Sequence, residues 1–246
     1  MVQRAQNLDG LRTGAFVASL AWPDVEKQLK EGAIAAVPIG AAAKEHGRHL
    51  PMASDFLQAE YLAQRLAEQA HVLIWPTLGY GYYPAFTDYP GSCTIDSEVF
   101  QRTVEDIAES IFRSGANRLL IINTGISTIA PLESFAALSK SKVTLDHVYR
   151  GAHYRQVERA ICRQKCGGHG DEAETSIMLT IAPDQVRMEM ASPWQKPQMG
   201  AGRFIRSDPS HPNYSPDGIH GDPTLASREK GEKLLEAMLE DLLALL

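Results

Sequence analysis

Cysteine is scarce, with three in 246 residues. An odd, dispersed set of thiols cannot supply the disulfide framework of a small secreted fold. Cys162 and Cys166 precede His169, but they sit at helical spacing in "RQVERAICRQKC" with no matching second ligand pair, which argues against a zinc knuckle. Runs of Lys or Arg are also lacking. With 24 basic against 30 acidic residues the formal charge is −6, which leaves no basic footprint for nucleic acid or an anionic membrane surface. No apolar stretch approaches the roughly 18 residues of a membrane span. The opening "MVQRAQNLDGLRTG" carries no apolar signal core. The expectation is a cytoplasmic chain with neither a membrane nor a nucleic-acid partner.

Hydrophobic residues at 44% and charged residues at 22% suit a globular protein, and the length suits one domain over 1–246. "AIAAVPI" (33–39), "HVLIWPTL" (71–78), "RLLIINT" (118–124) and "KVTLDHVY" read as strands. Between them, "DFLQAEYLAQRLAEQA" (55–70) carries Leu57, Tyr61, Leu62 and Leu66 at helical spacing, with Asp55 placed as the N-cap. Helices are also predicted for 95–115, ending on Gly115, for "APLESFAALSKS", "GAHYRQVERAICRQK" and "ETSIMLTIAP", and for the amphipathic terminus "ASREKGEKLLEAMLEDLLALL". Alternating strands and helices predict an α/β fold, a three-layer α/β/α sandwich around a mostly parallel sheet. Ligands of such sheets bind beyond the carboxyl ends of the strands, where loops 40–55, 77–95 and 124–131 would gather.

The first of these loops holds "AAAKEHGRHLPMASD" (41–55), which crowds Lys44, Glu45, His46, His49 and Asp55 together. Imidazoles and carboxylates in that density read either as a polar loop or as a metal site. "CGGHGDEAETS" (166–176) sets His169 among glycines, a backbone suited to close approach, with Glu174 at the start of a helix. Helix-dipole compensation alone would account for Glu174. "GYGYYPAFTDYPG" (79–91) concentrates Tyr80, Tyr82, Tyr83, Phe86 and Tyr89. Tyr82, Phe86 and Tyr89 are candidates for the wall of a small, flat substrate, and interlayer packing is the alternative.

Together these segments resemble the creatininase (creatinine amidohydrolase) family. The first family signature, Pro-hydrophobic-Gly followed by Glu-Gln-His-Gly-Pro-His-Leu-Pro and then Asp, is matched by "PIGAAAKEHGRHLPMASD", with His46, Gly47, His49, Leu50, Pro51 and Asp55 in place. Phe-Pro-Gly-Thr is matched by "YPGS" (89–92), and His-Ala-Gly-x-x-Glu-Thr-Ser by "HGDEAETS" (169–176); "DGIHGDPTLASREKG" is similar to family sequence as well. The resemblance implies a two-metal hydrolase, usually a homohexamer. In it Asp55 would bridge the metals, His46 and Glu174 would be ligands, and His169 would transfer protons.

Two departures bear on that expectation. The family Glu two residues before the ligand His is Lys44 here, with one extra residue between Gly40 and His46. The segment Asn-Gly-His-Gly-Gly-Asn is "NTGIST" (123–128), which puts Gly125 in place of a ligand His. Both losses fall on one metal. The expectation is therefore about one zinc-class ion, zinc or manganese, per chain, on His46, Asp55 and Glu174. Lys44 would then act catalytically beside Asp55, or a bulge would bring Glu45 into the missing carboxylate's place. The functional expectation is a metal-dependent amidohydrolase of a small cyclic or linear amide. Its rival is a catalytically reduced member that binds a metabolite or serves as an assembly subunit.

Overall fold

A computed structural model describes residues 13–139, 142–197, 199 and 202–246. The opening segment 1–12, and the last two positions of the helix predicted over 130–141, lie outside the described residues. Among the described residues, five parallel strands, β1 (Ala15–Phe16), β2 (Ile34–Ile39), β3 (Val72–Ile74), β4 (Leu119–Asn123) and β5 (Val143–His147), lie in the order β1-β3-β2-β4-β5. Seven α-helices, again among the described residues, cover the sheet: α1 (Trp22–Lys30), α2 (Ser54–Gln69), α3 (Ser97–Arg113), α4 (Ile129–Leu138), α5 (Ala152–Ile161), α6 (Glu172–Ile181) and α7 (Arg228–Leu243).

The strands read as continuous apolar runs because both faces are covered. Alternate residues divide between two cores. Ala36, Val72, Ile74, Leu120 and Ile122 pack against Leu62 and Leu66 of α2, Ile177 of α6 and Leu234, Met238 and Leu242 of α7. Ala35, Val37, Ile39, Leu73 and Ile121 pack against Phe100, Val104 and Ile111 of α3 and Leu132 and Phe135 of α4. Each fully buried side chain of this size contributes about 1.5–3 kcal/mol, before the entropy of ordering it is subtracted. The result is the three-layer sandwich.

Pro38 is tolerated in the central strand for a local reason. Ile34 and Gly40, which share its side of β2, send their N–H groups to His71 and Leu78. β3 has already ended at Ile74 where Pro38 stands, so its missing donor leaves no ladder bond unmade. β3 also stops short of the predicted 71–78, because Trp75 precedes Pro76 and the chain leaves the sheet there. Two further expectations need correction. Asp55 is not a cap: α2 starts at Ser54, Ala53 caps it without a side-chain bond, and Asp55 lies buried in the first turn. Cys162 is the extended residue that ends α5, so the cysteines do not share a helix.

Candidate metal and substrate site

Strand order reverses between β2 and β4, since the chain goes from β2 outward to β3 and then returns across the sheet to β4. The crevice beyond these two strand ends is where an open α/β sheet binds ligands. Three segments meet there. Gly40 ends β2 so close to α2 that an added Cβ would lie 2.3 Å from the Asp55 carbonyl oxygen. Thr124, just past β4, donates to that carbonyl at 3.0 Å and to the Ile39 carbonyl at 3.1 Å. The third segment, residues 166–174, is held by Asp171, the N-cap of α6. Its carboxylate accepts from Ala173 and Glu174 N–H at 3.0 Å each and from Gly168 N–H at 2.9 Å.

Lys44, Glu45, His46, Asp55, His169 and Glu174 are all buried here. Lys44 Nζ lies 2.6 Å from Asp55 Oδ2, and His46 Nε2 lies 2.9 Å from Asp55 Oδ1. Burial by itself would raise the Asp55 pKa, but the Lys44 charge and then His46 outweigh it and hold the carboxyl well below the usual range. Glu45 turns away from Asp55. Its Oε1 lies 2.9 Å from His169 Nε2, and its Oε2 accepts from Gly47 N–H at 2.9 Å. Gly218 (φ +84°) makes room for it, because a Cβ there would meet Glu45 Oε2 at 2.0 Å. Ser92, from the "YPGS" segment, accepts the Glu45 backbone N–H at 3.0 Å. His49 Nε2 lies 2.8 Å from Thr175 Oγ1; burial first, then His46 and His169, push its pKa down to about 4, which leaves it a neutral tie between loop and helix.

Both inner imidazoles are fixed at one nitrogen. His46 Nδ1 donates to the Lys44 carbonyl at 2.9 Å, and Nε2 lies 2.9 Å from Asp55 Oδ1. His169 Nε2 donates to Glu45, and Nδ1 stands 3.7 Å from Glu174 Oε2. An unprotonated nitrogen this near a carboxylate oxygen needs a proton or a cation between them. Among the described residues, donor atoms of His46, His169 and Glu174 lie within 4.8 Å of one another, a group that includes His46 and Glu174 of the expected ligands but has His169 in place of Asp55. The buried donor set fits one metal ion.

Beside the cluster is a cavity of about 430 Å³, a size suited to a small molecule. Lys44, His169 and Glu174 line it together with Tyr82, Tyr83, Phe86, Ile126, Arg203 and Phe204. The Phe86 ring centroid lies 4.2 Å from that of the tilted His169 ring and 5.4 Å from that of Phe204, which meets it edge-on, with the Lys44 ammonium 5.0 Å above it. Tyr82 and Phe86 line the cavity. Tyr89 stands behind it, buried, with its hydroxyl donating to the Ser215 carbonyl at 2.6 Å.

The creatinine amidohydrolase family model matches residues 18–246. The chain belongs to the creatininase family. It is 27% identical over 245 residues to a creatinine amidohydrolase of Pseudomonas putida, covering 92% of this chain and 93% of that one. A 3-dehydro-scyllo-inosose hydrolase of Thermotoga maritima is 21% identical over 256 residues, covering 93% and 81%. A mycofactocin precursor peptide peptidase of Mycobacterium tuberculosis is 24% identical over 225 residues, covering 83% and 81%. Among solved structures, a creatininase superposes with a TM-score of 0.79 at 25% identity, covering 94% of this chain and 96% of that one. A creatininase variant of zinc–zinc type gives the same figures, and a manganese creatininase gives a TM-score of 0.76 at 25% identity, covering 94% and 97%.

Within this creatininase frame, the space above Gly125 is closed. A Cβ there would lie 2.7 Å from Thr128 Oγ1 and 3.3 Å from Tyr83 Cε1. Asn123 locks the loop, accepting from Thr128 Oγ1 at 2.7 Å and donating to the Gly125 carbonyl at 2.7 Å. Sequence reasoning listed Tyr83 only among the loop aromatics, and it missed Asp171, Arg203 and Phe204. Asp171 was detectable as a helix cap just ahead of "EAETS". Arg203 and Phe204 lie in an irregular segment with no periodic signal.

Proposed function

We propose that this creatininase-family chain is a metal-dependent amidohydrolase of a small cyclic or linear amide, working as one domain with about one zinc or manganese ion per chain. The observation that carries this reading is the division of the Asp55 carboxylate. One oxygen lies 2.9 Å from His46 Nε2, and the other lies 2.6 Å from the Lys44 ammonium. His46, Asp55 and Glu174 would hold the ion, and the ammonium would stand on the side where the family pattern has a second ion. When bound, the ion supplies Lewis acidity, lowering the pKa of a water and polarising a carbonyl.

The chain's own residues divide the remaining work. Phe86, Tyr82 and Phe204 exclude water and hold a flat substrate. The acyl carbon gains oxygen from water as its C–N bond breaks, and one proton must reach the leaving nitrogen. His169 carries that proton at Nδ1, while Glu45 holds Nε2–H and stabilises the charged ring. Lys44 offsets the Asp55 charge and offers N–H donors toward the cavity. Family resemblance supports a homohexamer.

Incubation with a panel of small linear and cyclic amides should release amine or ammonia. Chelation should abolish the release, and zinc or manganese should restore it. Lys44 and Gly125 also favour a second reading, a family member that binds a metabolite without turning it over. Ligand binding with no hydrolysis of any amide in the metal-loaded protein would select that reading.

A further inference from the structure

Thr124, Ile126 and Ser127 line the cavity, so the loop that carries Gly125 in place of a ligand His is one of its walls. One buried side chain holds this loop. Asn123, the last residue of β4, accepts from Gly125 N–H at 3.2 Å and from Thr128 Oγ1 at 2.7 Å, and donates to the Gly125 carbonyl at 2.7 Å. A backbone N–H can only donate and a carbonyl can only accept, so Gly125 fixes which end of the Asn123 amide is oxygen and which is nitrogen. Asn123 Nδ2 also lies 3.1 Å from Nδ1 of His147, its neighbour in the parallel register of β4 and β5. Because Nδ2 can only donate, His147 Nδ1 accepts, and the ring is neutral with its hydrogen on Nε2. Nε2 is buried and has no hydrogen-bond partner among the described residues. The charged groups that face the ring are Glu133 of α4, with Oε1 3.8 Å from Nε2, and Arg150 just beyond β5, 3.2 Å from Glu133. Burial lowers the His147 pKa below the ordinary imidazole value; Glu133 opposes this and Arg150 adds to it.

We infer that His147 is a positioning residue for this cavity wall, and that its protonation releases the Asn123 amide and loosens residues 124–128. A second ring proton has to sit on Nδ1, where it meets the Asn123 N–H as donor against donor. The amide cannot turn over to offer its oxygen without unmaking both Gly125 bonds. An imidazolium is better placed turned toward the exposed Glu133 carboxylate. The loosened state therefore binds the proton more readily than the closed one. The wall is firm above about pH 6.5 and weakens as pH falls below that ordinary imidazole value. A ligand that needs the wall is held near neutral pH and released in acid. This regulation rests on reading the cavity as the substrate site.

Hydrogen–deuterium exchange of the full-length protein, read by mass spectrometry and corrected for intrinsic rates, reports on the wall without any ligand. From pH 8 to pH 5 the opening constant of peptides covering 124–128 should rise about tenfold or more relative to β4. His147→Asn sets a side-chain oxygen close to the Nδ1 position and does not titrate. It should keep the wall protected at pH 8 and abolish the acid response. His147→Leu keeps bulk without an acceptor, and its wall should exchange faster than wild type at pH 8. No acid response in the wild type, a response retained by His147→Asn, or wild-type protection in His147→Leu would each overturn the inference. Should the variants fail to fold, wild-type crystals at pH 8 and pH 5 decide. His147 Nδ1 should lie within hydrogen-bond distance of Asn123 at pH 8 and away from it at pH 5, and an unchanged contact refutes the release. Exchange needs no turnover, so its failure sinks this inference alone, whereas an amide panel left unhydrolysed sinks only the amidohydrolase reading.

Discussion

His169 has one ring nitrogen held by Glu45 and the other 3.7 Å from Glu174 Oε2. Burial opposes its charged form, but Glu45 at 2.9 Å outweighs burial and raises the pKa above the ordinary imidazole value. That is the tuning a proton carrier needs near neutral pH. His169→Ala should lower turnover by roughly 10²-fold or more while metal content stays nearly constant. Elemental analysis of the variant checks this, because loss of the ion would make His169 a ligand instead. The residue types of the cluster were legible in "KEHGRHLPMASD" and "HGDEAETS", since few other chemistries gather such groups in loops. Their partners were not. Whether Glu45 faces Asp55 or His169 depends on one inserted residue and on the space left by Gly218, 173 positions further along the chain (218 − 45). A linear pattern carries no such information.

Among the elements, β5 contains a group the site does not use. Asp146 is buried, and one of its carboxylate oxygens, Oδ2, has no hydrogen-bond partner. Burial, and then the nearby Asp241 charge, push its pKa up to about 7. The neutral form therefore suits the fold, and the unfolded chain binds fewer protons between pH 4 and 7. Stability associated with Asp146 is retained at low pH and lost as pH rises through about 7. Asp146→Asn should accordingly gain on the wild type as pH increases, by up to ~4 kcal/mol between pH 4 and pH 8. Urea unfolding at both pH values measures the difference, and a gap independent of pH would contradict the assignment. Element types followed from periodicity wherever segments were long, as in α2, α3 and α7. Sequence analysis missed β1 and α1. Two residues show no alternation, and α1 buries only Leu29, so neither carries a strong apolar signal. Asp55 was misassigned because a carboxylate at a helix start usually caps it, whereas Lys44 and His46 draw this one inward.

Across the whole molecule, the sheet brings the loops after β2 and β4 together, the loop leading into α6 adds His169, and α6 itself adds Glu174, both from far along the chain. Residues 202–215 close the cavity with Arg203 and Phe204 although the segment forms no helix or named strand. Tyr89 anchors that segment through the Ser215 carbonyl, which is why an aromatic expected at the substrate serves the scaffold instead. The layered architecture was readable from alternating strands and helices, but an irregular cover of this kind has no period to detect. The central claim is that one cation of the family's usual pair is a metal and the other is the Lys44 ammonium. Elemental analysis of protein purified without chelator or added metal, then saturated with zinc and desalted, tests it most directly. The expected result is about one ion per chain in both preparations. Two stoichiometric ions, or none after saturation, would contradict the account.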